Sequence, residues 1–167
     1  MFRPFLIICT LLTAAAASAS AAAQATVRVE TVNLQASRPL QEQTGRAVIR
    51  DYLQSWKILT AALEQNRADL LAPNFVGSAK DMLTATIQQQ TELGISTRYQ
   101  DRAHDLQIVF YSPDGLSIEL TDKVEYDVQI LDHGRVKTTQ HAIARYVIVL
   151  TPAEVRWRVR VFQGAPR

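Results

Sequence analysis

Between His104 and Phe162 the sequence alternates apolar with polar residues over three long stretches. In the middle of this region the odd positions are mostly polar, and the apolar residues fall at even positions: Leu116, Ile118, Leu120, Val124, Tyr126, Val128 and Ile130. Side chains of a β-strand point alternately to the two faces of a sheet, so this pattern predicts a sheet with one buried face. The reverse face is predicted to be wet or shared with a partner.

Three short segments with turn-forming residues divide the region into strands: Ser112–Gly115, Asp132–Gly134 and Pro152–Ala153. We expect an antiparallel meander in which Leu131 lies opposite Arg135, because this register keeps the even positions on one face. The last strand carries its apolar residues at odd positions, so its parity must switch at the turn. Pairing Leu150 with Val155 achieves this switch.

The N-terminus has the pattern of an export signal. Residues 1–23 contain one arginine, an apolar run and then small residues, as a cleaved signal peptide does. An uncleaved membrane anchor is the alternative, and only then would a membrane be a partner. Cys9 lies in this segment, so the mature chain has no cysteine and no disulfide, which favours a bacterial periplasm or the cell exterior. Residues 24–43 are predicted to be a linker or an extra edge strand.

Three helices are predicted to precede the sheet. The first begins near Thr44, and its apolar residues recur at spacings of three and four: Val48, Tyr52, Trp56, Leu59 and Leu63. Asn66–Leu71 is predicted to be a short second helix. Ser78 is predicted to begin a third helix, with Asp81 in a capping-box position. Residues 44–163 would then form one α+β domain, three helices packed on a curved antiparallel sheet, with 164–167 as a tail.

This order of elements resembles the nuclear-transport-factor-2-like (cystatin-like) cone fold. It is most similar to the intermembrane-space-type domain of chloroplast division proteins and its stand-alone bacterial relatives. The resemblance rests on the order and spacing of Asp69-Leu70-Leu71, Gly77, Leu93-Gly94, Tyr99, Tyr126, Asp132-His133-Gly134, Tyr146 and Arg156-Trp157-Arg158-Val159. It implies a cone-shaped domain that is a binding module without catalysis.

Charge and motifs narrow the classes of function. Without Arg3 the chain has 17 basic and 16 acidic residues, which gives no electrostatic reason to expect a nucleic-acid partner. Neither a nucleophile–histidine–acid arrangement nor a glycine-rich phosphate loop stands out. The three histidines are His104, His133 and His141, and they lack the spacing of metal ligands. We therefore expect no enzyme activity, cofactor or metal.

The reverse face of the sheet is the first candidate site. It is predicted to combine an apolar centre with arginines: Ile143, Arg145, Val147, Val149, Arg156, Arg158, Arg160 and Phe162. An apolar, arginine-rich surface is typical of a protein interface, so this face is predicted to bind a protein partner or a second copy. A solvated face, with arginine stems lying over aliphatic neighbours, is the alternative. A small-anion site is a third reading.

The interior of the cone is the second candidate site. Asp122 is the one polar residue in the even series, with Tyr126, Tyr52 and His104 as expected neighbours. A carboxylate in a cavity can act as a general base, as in isomerase-type members of the superfamily. The alternative is a bulge or a flared strand end that places Asp122 in water. Trp56 is expected in the core, where with Tyr52 it could also grip a small apolar ligand.

Overall fold

The computed structural model describes residues 24–30 and 39–165, so the predicted signal peptide and residues 31–38 lie outside the described residues. The elements in chain order are β1 (Thr26–Val29), α1 (Glu42–Gln65), a 3-10 turn (Ala68–Leu71), α2 (Gly77–Glu92), β2 (Ile95–Tyr111), β3 (Ile118–Asp132), β4 (Arg135–Pro152) and β5 (Trp157–Gly164). None of the helices described is long and apolar enough to cross a membrane.

The described residues form two α-helices, so the prediction of three helices was wrong. The segment predicted as the second helix is a single 3-10 turn of four residues, because the seven residues between α1 and Pro73 are too few to offset the cost of nucleating an α-helix. Asn66 ends α1 in the left-handed conformation with φ of 52°. Ser78 does not cap α2, and its hydroxyl instead donates to the carbonyl oxygen of Arg160 at 3.1 Å.

The five strands form one sheet in the order β1-β2-β3-β4-β5. The sheet is mixed and not purely antiparallel, because β1 pairs with β2 in parallel. The predicted register between β3 and β4 was wrong by two residues: Leu120 lies opposite Ile148, and Tyr126 lies opposite Ala142. A shift of two residues preserves which side chains share a face, so the even positions of both strands still point to the helices.

The predicted register of β5 was also wrong. Leu150 lies opposite Val159, because β4 continues to Pro152 and the next four residues make the turn. Arg160 is then an extra residue between two consecutive pairs of the ladder, which makes it a β-bulge. The bulge reverses parity, so Val159 and Phe162 both point into the core and Val161 points outward.

Both helices pack on one face of the sheet and enclose the core. Val48, Leu59 and Leu63 of α1 meet apolar side chains of the three central strands there. The segment after the 3-10 turn lies along the outer edge of β5, where Phe75 forms a parallel bridge with Val159. This edge of the sheet is therefore covered, and the opposite sheet face carries no helix of the described chain.

Candidate functional site

Asp122 lies at the centre of a polar network inside the domain. Its side chain has 0% exposed surface, although it is a carboxylate surrounded by apolar residues. The Tyr52 hydroxyl donates to Oδ2 of Asp122 at 2.6 Å, and Nδ1 of His104 lies 2.7 Å from the same oxygen. The second carboxylate oxygen, Oδ1, has no hydrogen-bond partner among the described residues. One buried acceptor is thus left open.

His104 connects this carboxylate to a second one. The ring is 2% exposed, and its Nε2 lies 4.0 Å from Oδ2 of Asp101. The indole Nε1 of Trp56 donates to that Asp101 oxygen at 2.8 Å. Asp101 and His104 are three residues apart on β2, so regular alternation would place them on opposite faces. An extra residue at Arg102 makes a β-bulge that brings both side chains to the helix side.

The electrostatics of the network favour a proton on His104. Burial lowers the pKa of His104, but hydrogen bonds to Asp101 and Asp122 outweigh burial and raise that pKa to about 9. Burial, followed by the negative charge of Asp122, raises the pKa of Tyr52 well above its usual value. At neutral pH an imidazolium therefore lies between two aspartates, and the Tyr52 hydroxyl keeps its proton. Such an arrangement holds a proton in place, and the single imidazolium offsets the charge of one of the two carboxylates.

An aromatic cluster surrounds the network. Trp56 contacts the rings of His104, Tyr99, Tyr126, Tyr146 and Phe162, with centroids 5.3 to 6.3 Å apart. The hydroxyls of Tyr126 and Tyr146 lie 3.2 Å apart. Burial raises the pKa of Tyr99 to about 12 and raises the pKa of Tyr146 further. Tyr99 and Tyr146 therefore keep their hydroxyl protons at physiological pH.

Two spaces border this cluster. A pocket of about 160 Å³ lies between the helices and the sheet, with Leu59, Leu83 and Phe162 in its mainly apolar lining. A wider cleft of about 1030 Å³ lies between α1 and the β1–β2 edge. Trp56 and Tyr99 line both spaces, whereas Asp101 and His104 line the cleft. Within residues 24–30 and 39–165, no group of three His, Cys, Asp or Glu side chains is arranged to hold a metal ion.

The four predicted cavity residues come together in this interior. Tyr52, Trp56 and Tyr126 are buried around Asp122, which is neither in a bulge nor in water. Sequence reasoning named His104 as a neighbour of Asp122 but did not place Asp101 beside it, because the bulge at Arg102 has no signature in the alternation. It also missed Tyr146, although the even parity of that residue on β4 could have indicated it.

The predicted outer-face residues are only partly brought together. Ile143, Arg145, Val147 and Val149 do lie on the outer face of β4, where Val149 is opposite Val161. We call Val147, Val149 and Val161 the outer valine patch. Phe162 was assigned to this face wrongly, because the bulge at Arg160 turns it into the core, where it is 8% exposed.

The three arginines of β5 do not form the predicted row. Arg156 lies in the turn after β4. Arg158 donates from Nη2 to the carbonyl oxygens of Ala72 and Phe75, at 2.5 and 3.2 Å. Arg160 is the bulge residue beside the start of α2. The outer face is therefore less basic than the sequence suggested, with Arg145 as its arginine on β4.

Comparison with known proteins identifies the fold. No protein-family model matches the chain, and no curated protein matches it. Among solved structures, the crystal structure of the intermembrane space region of the chloroplast protein ARC6 aligns with a TM-score of 0.62 and 14% identity. This alignment covers 76% of the present chain and 98% of that chain. A structure from Catenulispora acidiphila aligns with a TM-score of 0.48 and 11% identity, over 74% of this chain and 94% of that one. The chain therefore shares its fold with the intermembrane space region of ARC6.

Proposed function

We propose that this chain is an exported, non-enzymatic binding or assembly domain that contacts another protein through the outer face of its sheet. The observation that carries the proposal is the outer valine patch. Three half-buried valines on two neighbouring strands lie on a sheet face that neither helix covers. Apolar side chains so placed gain most by packing against a partner surface.

The surroundings of the patch suit a protein partner. Glu119 lies opposite Val149, whereas Arg145 and Lys123 lie opposite each other two outward-facing rows further on. Charges of both signs around an apolar centre are typical of the polar rim of an interface. Two sheets can pack face to face at a spacing of about 10 Å, so a second copy is the simplest partner of this kind.

The interior supports a binding role over catalysis. A general base needs an accessible lone pair at neutral pH, but both Asp122 and His104 are engaged with each other within the core. The fold shared with the ARC6 region is consistent with a domain that acts through contacts with proteins.

The proposal is tested by replacing Val149 with lysine in the full chain. Glu119 lies opposite this position, so the variant should fold, but it should lose contact with the partner. Met82→Lys on α2 is the matched control, because Met82 is 45% exposed and lies away from this face. A photo-crosslinking residue at Thr121 should capture a protein in the producing cells, and Val149→Lys should abolish that product. Equal crosslinking from wild type and Val149→Lys would contradict the proposal.

Export is part of the proposal and has its own test. Cleavage after residue 23 predicts a secreted or periplasmic protein whose first residue is Gln24. Mass spectrometry of the protein recovered from periplasm and medium measures this directly. A full-length chain recovered only with membranes would instead support the uncleaved anchor.

A small apolar ligand in the interior is a second candidate function, with the isomerase-type reaction as its enzymatic form. The 160 Å³ pocket favours it, because Gln90, Thr97 and Tyr146 add polar groups to its apolar lining, although Asp122 does not line this pocket. Phenol is a suitable probe, because it combines an apolar ring with one donor. If the pocket is the site, phenol should perturb the indole resonance of Trp56, and Leu83→Trp should prevent this by filling the space. Unchanged phenol binding in Asp122→Asn would remove Asp122 from the site.

A further inference from the structure

Half of β4 has a neighbouring strand on one side only. β5 pairs with β4 between Tyr146 and Pro152, and the amide of Ala165 donates to the carbonyl oxygen of Arg145 at 2.8 Å. From Thr138 to Ala144, β3 is the single strand that pairs with β4 in the part of the chain that the structure describes. We call this segment the free edge. Its outward backbone groups are a template for an additional strand.

The free edge lacks the features that usually protect such edges. Its pairing with β3 has no register shift between Thr138 and Leu150, and it contains neither proline nor glycine. The protective features that this strand does have, a bulge and a lysine, both occur at Lys137, just beyond the end of the free edge. A strand of up to seven residues can therefore pair with it without interruption.

A second copy of the chain does not fit this edge well. The place beside Tyr146 is occupied by Gly164 of β5, so the hairpin tip of an antiparallel copy must end before reaching it. Any such register puts the Lys137 bulge of each copy inside the new ladder. Lys137 then lies opposite His141 when the pair is centred on Thr139, which sets two basic side chains together. A separate peptide segment has neither restriction.

The charges of the strand indicate what such a segment carries. From Arg135 to Arg145 the strand contains two arginines, one lysine and one histidine, but no acidic residue. Lys137 pairs with Asp132 of β3, and His141 lies close to both Asp127 and Glu125. Arg145, by contrast, is exposed, lies opposite Lys123 and makes no ion pair with the described residues. His141, Ile143 and Arg145 alternate along the outer face, with Ile143 55% exposed.

We infer that the free edge binds an extended segment of a partner protein as an added β-strand, with an apolar residue opposite Ile143 and an acidic residue just beyond the position opposite Ala144, where the exposed side chain of Arg145 can reach it. Backbone hydrogen bonds to β4 supply affinity, and the alternating side chains supply specificity. This inference rests on the proposed function, because it names the chemistry of the partner. It uses the strand edge rather than the outer valine patch.

The test uses the full chain and a synthetic probe. The probe is a capped eight-residue peptide, in which seven valine or threonine residues pair with Thr138 to Ala144 and a terminal glutamate follows on the Arg145 side. We expect the peptide to bind in fluorescence anisotropy and to slow hydrogen exchange of the amides from Thr138 to Ala144. The same peptide with lysine in place of glutamate, or with alternate amides N-methylated, should not bind.

Charge reversal on the protein checks the register. Arg145→Glu should weaken binding of the glutamate peptide by about tenfold or more and allow the lysine peptide to bind. Arg156→Glu is the matched control, because Arg156 is exposed but lies in the turn at the other end of β4. Equal weakening by the two variants, or protection of amides outside β4, would overturn the inference.

The experiments distinguish failure of the proposed function from failure of the added-strand inference. Val149→Lys tests the outer valine patch and leaves the free edge intact, so it should not change peptide binding. Loss of crosslinking in Val149→Lys with no peptide binding in wild type would retain the proposed function and refute the added strand. Concentration-dependent dimers that protect the amides from Thr138 to Ala144 without peptide would show that a second copy occupies the edge, which would also refute it.

Discussion

The interior around Asp122 and the free edge of β4 both adjoin strand β3, but the two regions treat polar groups in opposite ways. In the interior, a carboxylate, an imidazole and a phenol are removed from water, and hydrogen bonds join the imidazole and the phenol to one carboxylate oxygen. Along the free edge, the outward backbone groups have no strand partner among the described residues, and most side chains are exposed. The difference arises because α1 and α2 cover the interior, whereas β5 ends before it reaches the free edge. Polar groups are costly only where the fold cannot offer them water or a partner.

Two aspartates of β3 give the largest expected contrast. Asp122→Ala should lower the free energy of unfolding by about 3 to 5 kcal/mol, because it leaves the buried His104 without its partner and opens a cavity. Asp127→Ala, five residues further along, removes a partly exposed carboxylate paired with Arg102 and should cost much less. Urea denaturation of the two variants measures both losses. Equal losses would show that the network is not a buried unit.

The pH dependence of stability tests the proton on His104. The pKa is about 9 in the folded protein and about 6.5 in the unfolded chain, so the stabilisation is complete below pH 6.5 and is lost as the pH rises through 9. Since one pKa unit corresponds to about 1.4 kcal/mol, the free energy of unfolding should fall by about 2 to 3 kcal/mol over this range.

Denaturation at a series of pH values measures this effect. The groups that face His104 are Asp122, Asp101 and the hydroxyl-bearing Tyr52. His104→Gln should flatten the profile, whereas His133→Gln, in an exposed turn, should leave it unchanged. A flat profile in the wild type would mean that His104 is neutral throughout.

The smallest contrast concerns two isoleucines of β4. Ile148 is 0% exposed and faces the helices, whereas Ile143 is 55% exposed on the outer side of the strand. Ile148→Val should cost about 1 kcal/mol, and Ile143→Val should be close to neutral. A loss of stability in Ile143→Val would mean that this side of the strand is already covered in solution, for example by self-association. Repeating the measurement at several protein concentrations separates these outcomes.

Alternation in the sequence predicted which faces of β3 and β4 are buried, and it did so despite a wrong register. The reason is that a two-residue slip leaves every side chain on its own side of the sheet. The positions of Tyr52, Trp56 and Asp122 inside the domain depend on this parity and on the helical spacing of α1. Periodicity in the sequence therefore predicted the residues at the centre of the candidate site.

The positions of the β-bulges could not be predicted from the periodicity of the sequence. Arg102 and Arg160 are extra residues in their ladders, as Val109 is further along β2, and the pattern of apolar residues does not distinguish them from paired ones. The first hid the pairing of Asp101 with His104, and the second led to the assignment of Phe162 to the wrong face. Both depend on how neighbouring strands twist against each other, which local sequence does not encode.

At the N-terminal side, short length rather than a bulge restricted the prediction. Thr26–Val29 forms a strand at the edge of the sheet, which is one of the two alternatives predicted for residues 24–43, and four exposed residues show too few alternations to choose between them. The 3-10 turn was predicted as a helix because its composition suits one. The segment is too short for an α-helix, because Pro73 stops it and Leu71 packs in the core.

The extra residue at Arg102 makes the chemistry of this domain sensitive to chain length. Deletion of Arg102 would remove this bulge and turn the Asp101 side chain to the solvent side of the sheet. The buried indole nitrogen of Trp56 would then lose its hydrogen-bond acceptor. Replacement of Arg102 by another amino acid would leave the spacing intact. During divergence, insertions and deletions in β2 are therefore a greater hazard to this network than most point mutations.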